Sequence, residues 1–267
     1  MLPQSRHDEG LYPVPQFSIE KADIEGFTDE SEGFHAVFAD CFTRSEPRNN
    51  FGRYMIGQLS QLERKSAEPI ALNTEGGTPR SMRFAISDAV RDGKKMIAEY
   101  HRFLNEDMGA FEGAVISDES GFRKKGEDSA GVARQYCGCL GKAENCQVGV
   151  FATYASPHGY AFLDKRLFVP RRRSDEDHRK KREKPKFPAS LTFKTKPRLA
   201  AEMFEEIVNE GIVPFRYVAA DSVYGESDDF INTIESHPGI TYFAEVGCDT
   251  LCRLKNPATG IRYYRYG

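Results

Sequence analysis

Two short apolar runs, each closing on an acid, constrain this chain more than any other feature. Ala114-Val115-Ile116 runs into Ser117-Asp118-Glu119-Ser120-Gly121, and Arg216-Tyr217-Val218-Ala219-Ala220 runs into Asp221. Apolar runs of this length, bounded by polar and glycine-bearing segments, have the pattern of buried strands that end in turns. Asp118 and Asp221 are thereby placed at two strand mouths. Either acid alone also suits a turn or a helix cap, whereas two acids on two strand ends can share a metal ion.

The segments around these runs set the fold class. Ala114–Ser117, Gly131–Gly138 and Cys146–Tyr154 read as three strands joined by short turns, which predicts an antiparallel meander. Residues 160–169 can add a strand. Arg198–Gly211 is an amphipathic helix with Leu199, Met203, Ile207 and Val208 on one side and Gly211 as its C-cap. The second acid strand at 216–220, a helix over 227–236 and a strand over 241–246 follow. Three strands, helix, strand, helix, strand is the order of a ribonuclease-H-like α/β fold, a mixed sheet with flanking helices. In that arrangement the first and fourth strands are neighbours, so Asp118 and Asp221 are expected close in space although 221 − 118 = 103 residues apart. A carboxylate pair there suits Mg2+, a hard cation that takes oxygen ligands.

Upstream the period is helical. Residues 1–26 carry three prolines without periodicity and are expected to be an irregular lead-in. From Gly33, the residues Phe34, Val37, Phe38, Cys41 and Phe42 form one apolar stripe that stops near Pro47. A second helix is expected over 50–65, a short third around Ile70 and Leu72, and a fourth opening with Thr78 as N-cap and Pro79 in the first turn, with a break at Gly93. Residues 27–108 thus make a small all-α domain, and 109–267 the α/β domain. The helical domain is a candidate DNA binder of helix-turn-helix type, with Arg80, Arg83, Arg91, Lys94 and Lys95 toward phosphate, or a bundle that only packs.

Net charge is −3, but Pro170–Arg198 holds twelve Lys or Arg against four Asp or Glu, a local +8 that leaves about −11 elsewhere. Within this basic loop, spanning 157–197, Arg171, Arg172, Arg173, Lys180 and Lys181 are candidate phosphate contacts; a solvated charged loop is the alternative. Ser120, Arg123, Lys124 and Lys125 follow the first acid and face the same choice. The spacing of Cys41, Cys137, Cys139, Cys146, Cys248 and Cys252 fits neither a disulfide framework nor paired zinc ligands, so buried free thiols are expected. His158 is expected in a solvent-exposed loop. With no apolar signal core and no run of 18 apolar residues, a soluble cytoplasmic protein is expected, nucleoid-associated when on DNA.

The segments ISDESGFRKKGEDSAGVARQYCG, GKAENCQVGVFATYASPHGYAFLDKRLFVP, FKTKP and VAADSVYGE, in this order, resemble bacterial insertion-sequence transposases of the DDE superfamily. The resemblance covers most of Phe111–Val246 and, more loosely, 48–104. It implies that Asp118 and Asp221 are the first two catalytic acids, with Mg2+ or Mn2+ as cofactor and double-stranded DNA as partner; assembly as a homodimer is compatible with it. The family's third acid, a glutamate on a later helix, has no counterpart here, and Glu226, Glu245 and Asp249 stand outside its motif. The expectation is therefore a C-terminally truncated transposase. Two readings follow: a metal-dependent strand transferase inactive on its own, or a catalytically dead DNA-binding remnant that competes with an intact enzyme.

Overall fold

A ten-residue strand, β1 (Ala114–Arg123), organises the α/β part of the computed structural model, which describes residues 21–171 and 192–250. Helices α1 (Lys21–Val37), α2 (Ser45–Leu59), α3 (Ala67–Asn73), α4 (Pro79–Ser87) and α5 (Gly93–Met108) precede it. After β1 come β2 (Ala133–Cys137), β3 (Lys142–Ser156), β4 (Gly159–Phe168), α6 (Lys196–Glu210), β5 (Tyr217–Ala220), the one-turn α7 (Ser222–Gly225), α8 (Asp228–Glu235) and β6 (Thr241–Ala244). The chain divides into two compact units between Met96 and Ile97, inside α5. Among the described residues, no helix is long and apolar enough to cross a membrane.

The sheet runs β2-β3-β1-β5-β6, with β4 also on β3. This corrects the expected meander. β2 pairs only with the first part of β3, β4 pairs with the rest of the same edge, and β3 lies directly against β1. The misreading has a physical cause: Ser117–Gly121 is strand, not turn. Its polar residues pair with β3 over Ala152–Val148, so β1 spans most of β3 and leaves no place for β2 between them. β5 and β6 then add in parallel on the other side, giving the mixed ribonuclease-H-like sheet.

One face of this sheet is the core. Val115 and Val218, in register on β1 and β5, pack with Val150, Ala152 and Tyr154 of β3 beneath α6, α8 and Leu104 of α5. The α6 stripe expected from sequence is present: Leu199, Met203 and Ile207 are buried, each worth about 1.5–3 kcal/mol when fully covered. Gly211 ends the helix with φ 64°, a left-handed conformation that glycine adopts at little cost. Tyr154 is fully buried, and its hydroxyl accepts from Ala110 N–H at 2.9 Å and lies 2.9 Å from the Pro214 carbonyl. The opposite face carries a row of aromatic rings, with Phe122–Phe151 at 6.2 Å and Phe151–Phe162 at 5.5 Å, and leaves Phe122 and Phe162 exposed.

The helical unit departs from expectation at its boundaries. Helix α1 begins at Lys21, so residues 21–26 are not irregular; 1–20 lie outside the described residues. It ends at Val37, and a 3-10 turn over Ala39–Cys41 follows where one continuous stripe was expected. The aromatic residues still converge, with Phe38 and Phe42 each on Phe51 at 5.9 and 5.3 Å. Pro47 does not stop a helix: it sits in the first turn of α2, where no intrahelical N–H is needed. Thr78 caps α4 in a reciprocal box with Ser81, and Pro79 follows it, as expected. Of the basic residues offered to phosphate, Arg83 pairs with Glu68 at 2.6 Å, Arg91 donates to the carbonyls of Ala85 and Ile86, and Lys95 lies 3.6 Å from Asp40.

Packing here depends on Gly57, where a Cβ would meet Ile70 Cγ2 at 2.3 Å. Ile70 is fully buried at the centre of a small core with Ala71 and Met82. Gly57→Ala is therefore expected to destabilise this unit by about 1–3 kcal/mol through overpacking. A lowered midpoint in urea unfolding followed by helical circular dichroism checks it; an unchanged midpoint would mean that α2 and α3 separate freely.

Candidate active site

The parallel ladder between β1 and β5 ends at Ser117↔Ala220, and the next residue on each strand is an acid. Asp118 and Asp221 therefore leave the same level of two adjacent strands, whose axes in a sheet lie about 4.8 Å apart. In-register residues on paired strands point to one face, so the two carboxylates share the face opposite the helices. The expected juxtaposition of Asp118 and Asp221 is present. The expected setting differs: Asp118 lies inside β1, paired across from Phe151, and not on a turn.

Local bonds hold both acids. Asp118 Oδ1 accepts from Glu119 N–H at 2.7 Å. Asp221 is the N-cap of α7, with Oδ1 accepting from Val223 N–H at 2.9 Å. Although Asp118 is solvent-exposed over much of its surface, partial burial pushes its carboxyl above the usual carboxylate range. The Glu119 N–H opposes that shift, the Asp221 and Glu119 charges reinforce it, and Lys196 opposes it again. Two carboxylates that repel each other across one strand gap, with only one oxygen of each hydrogen-bonded among the described residues, are a donor set suited to a hard divalent cation. No group of three or more His, Cys, Asp or Glu arranged to hold a metal occurs among the described residues.

Three further residues close around the pair. Glu119 takes an ion pair from Lys196 Nζ on Oε1 and a hydrogen bond from the Tyr224 hydroxyl on Oε2 at 2.8 Å. Tyr224 is fully buried against Phe230, and burial together with the Glu119 charge holds its hydroxyl far above the ordinary tyrosine range, so it stays a donor. Lys196 opens α6 and also sits 5.7 Å over the Phe168 ring. Sequence reasoning left Glu119 and Lys196 unassigned. Both lie in segments that carry the family resemblance, Lys196 in FKTKP and Glu119 in ISDESGFRKKG, which is the signal that could have found them. Tyr224 thus both packs against Phe230 and donates to Glu119 within the protein. Gly225, the last residue of α7, allows a close approach: a Cβ there would meet Glu245 O at 2.0 Å. Glu226 is engaged with Gly247 N–H at 2.8 Å.

The basic candidates separate into two sets. Arg123 ends β1 and is exposed, with Lys124 and Lys125 after it; the Lys124 N–H is fixed to Asn145 O at 2.9 Å. Arg134 and Lys142 gather near Arg123: Asn145 N–H holds the Glu144 carboxyl below the usual range, and all three charges push the same way. Of the loop residues, Arg171 places its guanidinium 5.5 Å over Phe193, while Arg172, Arg173, Lys180 and Lys181 lie outside the described residues. Among the described residues no disulfide joins the cysteines, but Cys139 and Cys248 are exposed rather than buried, and Cys252 lies outside the described residues. His158 is exposed, as expected.

An in-register carboxylate pair thus stands at the end of the parallel ladder of a mixed ribonuclease-H-like sheet. Residues 37–263 match the DDE superfamily endonuclease family, and the chain belongs to that family. A probable transposase for insertion sequence element IS701 from Microchaete diplosiphon is 29% identical over 182 residues, which cover 67% of this chain. The matched region spans 44% of that relative's length.

Proposed function

We propose that this chain acts on double-stranded DNA as an insertion-sequence transposase, cleaving strands and transferring their ends with Asp118 and Asp221 as metal-ligating acids. The observation that carries the reading is the placement of the two acids one residue past Ser117↔Ala220 on adjacent parallel strands. Asp118 and Asp221 would hold a Mg2+ or Mn2+ ion, which when bound would supply Lewis-acid stabilisation of the phosphate oxygens at the cleaved bond. The chain's own part is to hold both carboxylates on one open face and to keep phosphate near them. Arg123, Lys124 and Lys125, with Arg134 and Lys142, supply a positive cluster for that purpose, and the +8 of residues 170–198 supports adding Arg171, Arg172, Arg173, Lys180 and Lys181.

The test is incubation of the purified chain with supercoiled DNA carrying the element's ends, in Mg2+ or Mn2+, beside Asp118→Asn. Nicking by the parent that disappears in the variant is the expected result of this proposal, and it would overturn the expectation from sequence of a chain inactive on its own. Salt-sensitive binding by both proteins without nicking in either metal would instead select a DNA-binding competitor of an intact transposase. Absence of binding would overturn both readings.

A further inference from the structure

We infer that Lys196, Glu119 and Tyr224 form a clasp that sets the separation of the two acids, making all three positioning residues for the proposed metal site. The inference rests on the metal-dependent reading given above. Its starting point is a gap in the backbone: pairing between β1 and β5 stops at Ser117↔Ala220, so no ladder hydrogen bond joins Asp118 to Asp221. A side-chain link takes over there. Glu119 is the residue after the first acid, and Tyr224 lies one turn after the second, on a helix whose Tyr224 and Gly225 N–H groups both bond to Asp221 O, at 3.2 and 2.8 Å. The Tyr224–Glu119 hydrogen bond of 2.8 Å therefore joins the two acid-bearing segments immediately beyond the point where the strands part.

Lys196 completes the link from a third segment. Its ammonium engages the Glu119 oxygen that Tyr224 leaves free, from the first residue of α6. Both partners are mostly covered, with side chains 21% and 19% exposed, so the pair is less screened than a surface ion pair. Glu119 thereby has a partner on each oxygen and its carboxylate cannot rotate freely. Both contacts lie on the helix-covered side of β1, opposite the face that Asp118 and Asp221 share. Groups that orient metal-binding side chains from behind typically change affinity or activity by about 10–100-fold when removed.

The experiment measures Mn2+ binding to the full chain by the electron paramagnetic resonance signal of free Mn2+, with thermal unfolding of the metal-free proteins alongside. Tyr224→Phe keeps the ring and removes only the hydroxyl; it is expected to weaken Mn2+ binding about 10-fold or more. Lys196→Met is expected to do the same and Lys196→Arg to restore most of the affinity, a rescue that simple packing does not produce. If Tyr224→Phe does not fold, the Lys196 pair decides. Parent-like Mn2+ binding in Lys196→Met, or in a folded Tyr224→Phe, while Asp221→Asn loses it, overturns the clasp and leaves the metal reading standing. A parent that binds no Mn2+, or binds it equally well in Asp118→Asn and Asp221→Asn, overturns both.

Discussion

Asp221→Asn is expected to fold with a stability within about 0.5 kcal/mol of the parent, yet to lose metal-dependent DNA nicking by at least about 10²-fold. The two halves of this result come from two jobs done by one side chain. As N-cap of α7, Asp221 only needs an oxygen that accepts from Val223 N–H, and asparagine caps as well as aspartate. As a proposed metal ligand beside Asp118 it needs charge, which the amide lacks. Asp221→Ala is the reference for the capping role alone and should cost about 1 kcal/mol. Because Asp118 and Asp221 are proposed to act as one unit, the double Asp118→Asn/Asp221→Asn variant should nick no more slowly than the worse single variant. Thermal unfolding together with nicking rates checks the four variants against the parent. Full nicking by Asp221→Asn would reduce Asp221 to a helix cap.

The second large effect is expected at Gly225, where substitution by alanine should destabilise the α/β unit by about 1–3 kcal/mol. A Cβ at this position would lie 2.0 Å from the backbone oxygen of Glu245 and 3.0 Å from Ala244 Cβ. Backbone cannot swing aside as the tip of a long side chain can. Relief therefore requires that α7 or the end of β6 move, and both are tied to the acid strand: Gly225 N–H bonds to Asp221 O, and Glu245 N–H bonds to Ala220 O at 3.1 Å. The strain should thus reach Asp221 and lower Mn2+ affinity as well as the unfolding temperature. Gly138→Ala, at a glycine with no atom within 4 Å of the added carbon, is the matched control and should change neither. Equal unfolding temperatures for the two variants would show that β6 yields without cost.

Much of the α/β unit was legible because its elements announce themselves locally. The α6 stripe of Leu199, Met203 and Ile207 buries on one face, and a glycine is needed at 211 for the left-handed exit. The strand-then-acid pattern at 114–118 and 217–221 follows from the same local rule, and it placed the acids correctly in relation to each other. The second half of β1 was not legible. Asp118, Glu119 and Ser120 read as a turn because they are polar, yet they are strand because β3 is fifteen residues long and offers Phe151, Val150 and Gly149 as pairing partners. Backbone pairing, which is indifferent to side-chain polarity, decided there. In the helical unit, Pro47 was taken as a stop because its position in the first turn depends on where α2 begins, which a single proline does not tell.

The amino-acid sequence by itself determined the apolar periods, the caps and the two acids at the ends of apolar runs, since each of these is settled by neighbours a few residues away. Only the tertiary structure decided which strands lie side by side and what stands behind the acids. Lys196 and Tyr224 reach Glu119 across 77 and 105 residues of chain, and no local propensity records such a meeting. It exists because the core beneath β1 and β5 brings the starts of α6 and α7 to one end of the sheet, where a carboxylate, an ammonium and a buried hydroxyl satisfy one another largely shielded from water.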